Sequence, residues 1–267
     1  MLSVWIHMLR RRTTAAIWWA VSLAALGALL AVAYPTVRGN SELDKTFADL
    51  PPSVAALLGL SDGNLLTSPA GYLDSQFYAN ILPLTLLIFA VGAAAWTIAG
   101  DEAGGTLELL TTNPISRTRI AVARYGALLT LLTVLAVVCW AAVAALAPST
   151  GLTAGLGIVR LAAATLACAL LALVFATIAY AVGAATGSKP AATAVAAGLA
   201  VAGYVAEGLS HQVTALRAVR YANPWHWLLD ADPLRNGLTW QSTVLPVAVS
   251  AILVIVGLAV FRRRDLR

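Results

Sequence analysis

Six long apolar segments, separated by shorter polar ones, run the length of the chain. A helix that crosses a hydrocarbon layer of about 30 Å needs about 20 apolar residues, and the segments have about that length. None shows the alternation of a transmembrane barrel, and lipid cannot satisfy free backbone groups, so the segments must be helices. They cover residues 14–34, 79–99, 120–147, 160–186, 190–208 and 243–261. The pattern predicts an all-α integral membrane protein with six transmembrane helices in a single domain, residues 1–267.

The composition agrees with a membrane protein. The 267 residues are 60% hydrophobic and 11% charged, with a mean hydropathy of +0.83, whereas soluble domains carry about 25% charged residues. The net charge of +5 comes from Lys and Arg at the ends of the apolar segments, which is how membrane proteins set their topology. We therefore expect membrane lipid as a partner and no nucleic acid.

Lysine and arginine are unequally divided between the two sides of the membrane. The side that holds both termini carries more of them, and cytoplasmic segments are the ones enriched in these residues. Both termini are therefore predicted to be cytoplasmic, and we call that side the inner side. Its basic residues are Arg10, Arg11, Arg12, Arg117, Arg119, Arg124, Lys189, Arg262, Arg263, Arg264 and Arg267.

The two longest connections, residues 35–78 and 209–242, lie on the outer side. In the first, "LPPSVAALLGL" and "SPAGYLDSQFY" each predict a short helix opened by a proline. In the second, Leu209, Val213, Leu216 and Arg220 recur about once per turn and predict a helix lying in, or dipping into, the outer interface. On the inner side, the turn "TGSKP" places Pro190 where it can open a helix.

Catalytic motifs are absent from the sequence. It contains no G-x-x-x-x-G-K-[ST] phosphate loop, no H-E-x-x-H and no G-x-S-x-G. His7, His211 and His226 lie outside the apolar segments and far apart along the chain. We therefore expect a chain that is not an enzyme, with no catalytic residue, no metal site and no cofactor of its own.

Ionisable side chains are almost missing from the apolar segments. Arg124, Arg160 and Glu207 are the charged residues within their bounds, and each lies near an end. An ion channel or a proton-coupled transporter needs polar groups deep in the membrane, so the pattern argues against both.

Three small or polar features are interpreted as structural. Cys139 and Cys168 lie inside apolar segments, at a spacing typical of neither a disulfide framework nor a metal site. Gly183 and Gly187 form a G-x-x-x-G pair that permits close helix packing. Asp232, in "DAD", is expected to shape a turn before a helix at Pro233 rather than to bind metal or phosphate.

The segment "GDEAGGTLELLTTNPISRTRIAVARY", residues 100–125, carries the densest charge in the chain. Its double glycine can break the preceding helix, Thr106 can cap a new short one, and Pro114 can end it. Ser116 can then cap the third span. Topology needs only the arginines, whereas the acids beside the Leu109–Leu110 pair suggest a short helix gripped by a cytoplasmic partner. A solvated loop that serves topology alone is the alternative.

This segment resembles the inner loop of type-2 ATP-binding-cassette (ABC) exporter permeases. The shared pattern is an acid pair, then Gly-Thr-Leu-Glu-Leu-Leu, a proline–hydrophobic–serine turn and a basic start to the third span. The sequences "LTSPAGYLDSQFYANILPLTLLIFAVGAAAWTIAG", "NPWHWLLDADPLRNGLTW" and "FRRRDL" also resemble the branch that includes permeases for polyketide-antibiotic export. The resemblance covers nearly the whole chain and implies a place in a prokaryotic plasma membrane.

The resemblance implies the permease subunit of an efflux system, of the kind associated with antibiotic resistance. Two permease chains, identical or different, would pair and dock two copies of a cytoplasmic ATPase, which would bind the ATP and magnesium. The loop between the second and third spans would be the coupling helix, lodged in a groove of that ATPase. This role would fall on Glu102, Gly105, Thr106, Leu107, Glu108, Leu109 and Leu110, with Pro114 and Arg117 shaping the exit.

The resemblance also implies three smaller features. A short amphipathic surface helix would precede the first span and also touch the ATPase, and the turn at Lys189 would be a second, smaller ATPase contact. The short helices of the last outer loop would form a re-entrant pair that closes the pathway outward. The surface helix would comprise Val4, Trp5, Met8, Leu9 and Arg10, with its four apolar side chains facing lipid.

Taken together, the residues and the resemblance predict a permease that exports an amphiphilic or hydrophobic compound, such as a drug, an antibiotic or a lipid. The near absence of charge in the spans favours such a cargo over an ion. Two alternatives remain open at this stage. One is a membrane scaffold or sensor that binds an ATPase without transporting, and the other is a gradient-driven transporter that acts alone.

Overall fold

The computed structural model describes residues 2–40, 67–100, 116–153, 155–210 and 213–263. Six helices within these ranges are long and apolar enough to cross a membrane, and the same ranges contain no strand. The predicted fold class, an all-α protein with six spans, is therefore confirmed. Which terminus faces which compartment stays a prediction.

The helices follow one another with short connections. Helices α1, α4, α5, α6 and α10 are each one span, whereas α2 and α3 are joined by a π-helical turn into a single span, Pro69–Ala95. Further π-helical and 3₁₀ turns lie at Trp96–Gly100 and Arg220–Ala222. The helices are α1 (Leu2–Val37), α2 (Pro69–Leu73), α3 (Ile81–Ala95), α4 (Arg117–Thr150), α5 (Ile158–Thr186), α6 (Lys189–Leu209), α7 (Thr214–Val219), α8 (Pro224–Leu229), α9 (Pro233–Asn236) and α10 (Trp240–Arg263).

The second span is longer than the apolar pattern predicts. The pattern places its start at residue 79, whereas the helical span begins at Pro69 and continues through the π-helical turn Asp74–Tyr78. Ser68 caps this start by accepting a hydrogen bond from the Gly71 N–H at 3.1 Å. The proline-opened helix predicted in "SPAGYLDSQFY" is therefore present, but it belongs to the span. Asp74 thus lies within a span that the sequence interpretation held to be free of charge.

Capping residues begin and end the inner helices, and Ser116 and Pro190 open theirs as predicted. Ser116 opens α4 by accepting a hydrogen bond from the Arg119 N–H at 3.4 Å, and Ser188 accepts from the Ala191 N–H at 3.3 Å, with Pro190 in the first turn of α6. Gly187 ends α5 with a φ of 67°, a backbone conformation that glycine adopts without strain. The sharp turn between α5 and α6 follows from these residues.

Helix α5 is the centre of the bundle. It is the most buried of the six spans, with 72% of its most apolar stretch buried, and it packs against α3, α4, α6 and α10. Small residues allow close approach: a Cβ added at Gly183 would lie 3.6 Å from those of Ala99 and Ala192, and one at Gly257 would lie 3.1 Å from Ala181 Cα. The Gly183 contacts are at ordinary van der Waals distance, so the close-packing interpretation of Gly183 and Gly187 stays a prediction, whereas Gly257 makes a close approach.

Helix α1 runs without a break from Leu2 to Val37, so the predicted surface segment and the first span are one helix. Its principal neighbour is α4. Leu9 packs against the hydrophobic core, and the Trp5 ring lies 3.8 Å from where a Cβ on Gly126 of α4 would be. Trp5 and Leu9 therefore contact the bundle with part of their surface, and the prediction that they face lipid stays a prediction.

The short outer helices turn back into the bundle. Trp225 of α8 is fully buried and donates from Nε1 to the carbonyl of Ala200 at 2.9 Å. Since a helix rises about 1.5 Å per residue, Ala200 lies about 14 Å from the end of α6 at Leu209. On α9, Leu234 is buried and shares a small cavity with Cys168 of α5.

One outer prediction is wrong and another lies outside the described residues. Leu209 ends α6 and α7 begins at Thr214, so Leu209, Val213 and Leu216 do not form one helix. Val213, which precedes α7, has an extended backbone. The helix predicted in "LPPSVAALLGL" lies in residues 41–66, outside the described ranges. Whether α7–α9 re-enter a membrane stays a prediction.

Candidate coupling end and outer cluster

The predicted coupling residues lie almost entirely outside the described part of the chain. Glu102 to Leu110 and Pro114 fall within residues 101–115, and Arg117 is the first residue of α4. The described ranges therefore give the two ends of this loop, the turn Trp96–Gly100 that enters it and the start of α4 that leaves it. The coupling role of these residues stays a proposal.

Two cations from different helices lie against one indole at the entrance to the loop. Lys189 Nζ lies 4.0 Å from the centre of the Trp96 ring, and Arg12 Cζ lies 5.0 Å from it. Cations within about 6 Å of a tryptophan face are attracted by its ring electrons. Trp96 therefore links the loop entrance to α1 and to the first residue of α6.

A buried arginine links the exit of the loop to its entrance. Arg124 of α4 is only 3% exposed, and its guanidinium donates a hydrogen bond to the carbonyl of Thr97 in the entrance turn. A buried guanidinium is stable only where its donors are paired, so this contact fixes the position of both ends of the loop relative to each other.

The exit of the loop is also attached to the central helix. The Tyr180 hydroxyl of α5 donates to the Ala121 carbonyl of α4 at 3.1 Å. The Tyr125 hydroxyl bonds Thr177 of α5 at 2.8 Å, and the Tyr125 and Tyr180 rings pack together at 5.0 Å. With Ala99 packed near Gly183, both ends of the loop contact α5, so a displacement of the loop reaches the bundle centre directly.

The amino-terminal residues lie near the same place. Trp5 and Met8 are half-buried and Arg10 is exposed, and Trp5 contacts α4 beside Gly126. The Val4 side chain lies outside the described side chains. A contact of this segment with an ATPase stays a prediction, but its position against α4 places it beside the loop exit.

At the outer end, a buried glutamate meets a buried histidine. Glu207 near the end of α6 is 7% exposed and His226 of α8 is 3% exposed, and Glu207 Oε1 lies 3.0 Å from His226 Nδ1. Asn223 Nδ2 donates to the second oxygen, Oε2, at 3.3 Å and to the Gly203 carbonyl at 2.7 Å.

Two more charges extend this cluster towards the surface. Asp230 Oδ2 lies 3.8 Å from His226 Nε2, on the opposite side of the ring from Glu207. Arg220 donates from Nη2 to Asp230 Oδ1 at 3.3 Å, with its guanidinium 3.4 Å from His226 Nδ1. We call Glu207, Asn223, His226, Arg220 and Asp230 the outer cluster. It joins α6 to the turned-back helices.

Gly203 makes room for this contact on α6. A Cβ at Gly203 would lie 2.8 Å from Asn223 Oδ1, closer than real Cβ atoms come, and 3.2 Å from Trp225 Cδ1, which is a tight contact. A side chain at this position would therefore displace Asn223. One residue on, Tyr204 donates to Asn80 Oδ1 at 2.7 Å and packs edge-on against Trp225 at 5.0 Å. The turned-back segment therefore packs against Gly203 and Tyr204 of α6.

Two acids line the small cavity beneath α8 and α9. Asp74 of the second span and Asp232 face it together with Cys168. Asp232 Oδ1 is buried without a hydrogen-bond partner, and Arg235 Nε lies 3.6 Å from Oδ2. Burial raises the pKa of Asp232, and the nearby Arg235 offsets only part of that rise. Asp232 precedes α9 as predicted, although its side chain makes no capping hydrogen bond.

Sequence reasoning missed the outer cluster. It judged the histidines too distant along the chain to act together and placed Glu207 at a span end. His226 reaches Glu207 because α8 turns back against α6, and no local sequence pattern predicts that contact. The available signal was a set of polar residues at "NPWHWLLDAD" following an acid at the end of an apolar segment. Among the described residues, no group of His, Cys, Asp or Glu could hold a metal ion.

The described structure is that of a multi-pass helical membrane protein in which both ends of an inner loop contact the central helix. A family model described as "ABC-2 family transporter protein" matches residues 3–266. The chain therefore belongs to this family, whose members are membrane components of type-2 ABC transporters. A search among curated proteins gave no match. The antibiotic branch of the family stays a prediction.

Proposed function

We propose that this chain is the permease subunit of an ABC exporter and that a separate ATPase drives it through the loop 101–115. Family membership supports a permease of an ABC transporter. The observation that carries the coupling proposal is the attachment of both loop ends to α5, through Ala99 beside Gly183 and through Tyr180 to Ala121. A force on the loop therefore acts on the most buried helix.

In this proposal the ATPase binds the loop 101–115, and the contacts at the two ends of the loop transmit its movement to the spans. Glu102 and Glu108 would present negative charge to the ATPase, and the leucines between Leu107 and Leu110 would enter an apolar groove on it. Arg124 would keep entrance and exit moving together, because its guanidinium joins α4 to the Thr97 carbonyl. ATP and magnesium would bind the partner, which would be present in two copies.

A second permease chain, identical or different, would complete the pathway. Cargo would pass between the two chains and leave on the outer side. Arg124 and Glu207 are bonded to groups of the protein itself, and Asp74 of the second span lines a small cavity beside Asp232. So few charges in the spans favour a hydrophobic or amphiphilic cargo over an ion. A drug, an antibiotic or a lipid has that chemistry.

Co-purification and vesicle transport test this proposal. The chain is expressed with its candidate ATPase, purified in detergent and reconstituted, and ATP-dependent movement of amphiphilic dyes is measured. We expect Glu108→Lys and Leu109→Asp to abolish both ATPase retention and transport. Glu42→Lys, the same charge reversal in the predicted outer loop, should leave both unchanged. If Glu108→Lys and Leu109→Asp both retain the ATPase, the coupling role is overturned.

The two alternatives give different results in the same experiment. A scaffold retains the ATPase, but ATP hydrolysis moves no dye. A gradient-driven transporter moves dye without any ATPase and stops when an ionophore collapses the ion gradient.

A further inference from the structure

We infer that the contact of Glu207 with His226, seated over Gly203, is a latch that holds the outer helices closed and is released when cargo leaves. The cargo-release part rests on the proposed function. The closed state itself is visible in the geometry: α8 lies against α6, with Glu207 Oε1 and His226 Nδ1 3.0 Å apart and both side chains buried.

The latch residues, rather than the short helices, determine whether the outer segment stays in place. Helix α8 has six residues and α9 has four, and helices this short are not stable alone in water. Their attachment to α6 runs through Glu207 with His226, Asn223 with the Gly203 carbonyl, and Trp225 with the Ala200 carbonyl. Separating these pairs would take buried polar groups away from their hydrogen-bond partners, which disfavours opening.

The outer cluster also provides a way to open. His226 lies between two carboxylates, with Nδ1 towards buried Glu207 and Nε2 3.8 Å from Asp230. The Asp230 side chain is 49% exposed, so it can accompany His226 as α8 moves outward. Glu207 meanwhile has a second donor in Asn223. Each member of the buried pair therefore has a further partner nearby, which is what a reversible contact requires.

The segment held by the latch covers a natural reporter. Cys168 of α5 is fully buried and lines the cavity beneath Leu228 and Leu234. The chain has two cysteines, so Cys139→Ala leaves Cys168 as the single thiol. Its rate of alkylation by N-ethylmaleimide, measured on the full chain in lipid nanodiscs, reports how often the outer segment opens.

A pair of glycine substitutions on α6 separates the latch from general effects. Gly203→Ala places a methyl group 2.8 Å from Asn223 Oδ1, whereas Gly198→Ala adds the same methyl group where nothing lies within 4 Å. We expect Gly203→Ala to raise the alkylation rate of Cys168 by a factor of about 5–30, the effect of one displaced buried contact. Gly198→Ala should leave the rate at the wild-type value.

Glu207→Leu and His226→Leu should raise the rate in the same way, because each leaves the other residue buried without its partner. Circular dichroism and size-exclusion elution identify a variant that fails to fold, and Gly203→Ala then still decides the question. Wild-type alkylation rates in folded Gly203→Ala and Glu207→Leu would overturn the latch.

A further experiment tests whether the latch opens when cargo is released, and it distinguishes a failure of the latch from a failure of the proposed function. In the complex with the ATPase, trapping with ATP and vanadate should raise the Cys168 alkylation rate of the wild type to about that of Gly203→Ala. An unchanged rate in a complex that transports would refute the release role. If no ATPase is retained at all, the proposed function fails, while the rates of the glycine variants still confirm or overturn the closed latch.

Discussion

The ammonium group of Lys189 lies 4.0 Å from the centre of the Trp96 indole, directly where the chain leaves the second span for the inner loop. Lys189 is the first residue of α6, and the resemblance assigns it to a second ATPase contact. In the described structure it faces the permease's own loop entrance. Lys189 therefore joins α6 to the loop entrance, and its contact with an ATPase stays a prediction.

Substituting Trp96 should weaken this link with little loss of stability. Trp96 is 40% exposed, and each cation–π contact at such a site is worth about 0.5–1 kcal/mol. We expect Trp96→Leu to reduce dye transport per ATP hydrolysed while lowering the free energy of unfolding by at most about 2 kcal/mol. Trp18→Leu, at an exposed position of α1, is the matched control. Equal transport ratios in the two variants would contradict the link.

Arg124 should matter more for stability than Trp96 does. Arg124→Met removes a buried guanidinium and leaves the Thr97 carbonyl without that donor, which costs about 1–3 kcal/mol. Arg160→Met, at an exposed position at the start of α5, should change stability by no more than about 0.5 kcal/mol. Denaturant unfolding in mixed micelles measures both, and the prediction fails if the two variants unfold alike.

The approach of α10 to α5 gives a second test of packing. A Cβ at Gly257 would lie 3.1 Å from the backbone of Ala181, so Gly257→Ala should destabilise the protein by about 1–3 kcal/mol through overpacking. A Cβ at Gly92 of α3 meets nothing within 4 Å. Gly92→Ala should therefore stabilise α3 by up to about 1 kcal/mol. Thermal unfolding of Gly257→Ala and Gly92→Ala should show midpoint temperatures shifted in opposite directions from the wild type. Shifts in the same direction would refute the close approach of α10 to α5.

The raised pKa of Asp232 predicts that the free energy of unfolding depends on pH. Burial raises its pKa in the folded state above the ordinary value of 3.8. The folded state then holds the proton more tightly than the unfolded state, so stability rises as the pH falls through the raised pKa towards 3.8. Asp232→Asn does not titrate and tolerates the same φ of 39°.

Unfolding midpoints measured across that pH range provide the check. The gain in stability on acidification should be smaller in Asp232→Asn than in the wild type. The same gain in both proteins would show that Asp232 does not titrate in this way.

The sequence predicted the spans well because each depends on a local property. Apolar length sets a span, and residues such as Ser116, Ser188 and Gly187 set its ends through contacts within a few positions. The predicted ranges therefore fall within the helices, apart from the second span. There the polar residues of "YLDSQFY" conceal a helical segment that is continuous with the apolar one.

The outer cluster was not predictable in the same way. Glu207 and His226 are separated along the chain by a break after α6 and by the short helix α7, and their contact depends on how the chain turns back. The continuity of α1 was missed for a related reason. Arg10 to Arg12 suggest a boundary in the pattern, but nothing in those residues breaks a helix.

The central claim, that a cytoplasmic ATPase grips residues 101–115, is tested most directly by site-specific photo-crosslinking. Benzoylphenylalanine is placed at Leu109, or as a control at Leu58 in the predicted outer loop, in cells that also express the ATPase. We predict a crosslinked permease–ATPase product from position 109 and none from position 58. The absence of that product at 109, or its equal appearance at 58, would contradict the account.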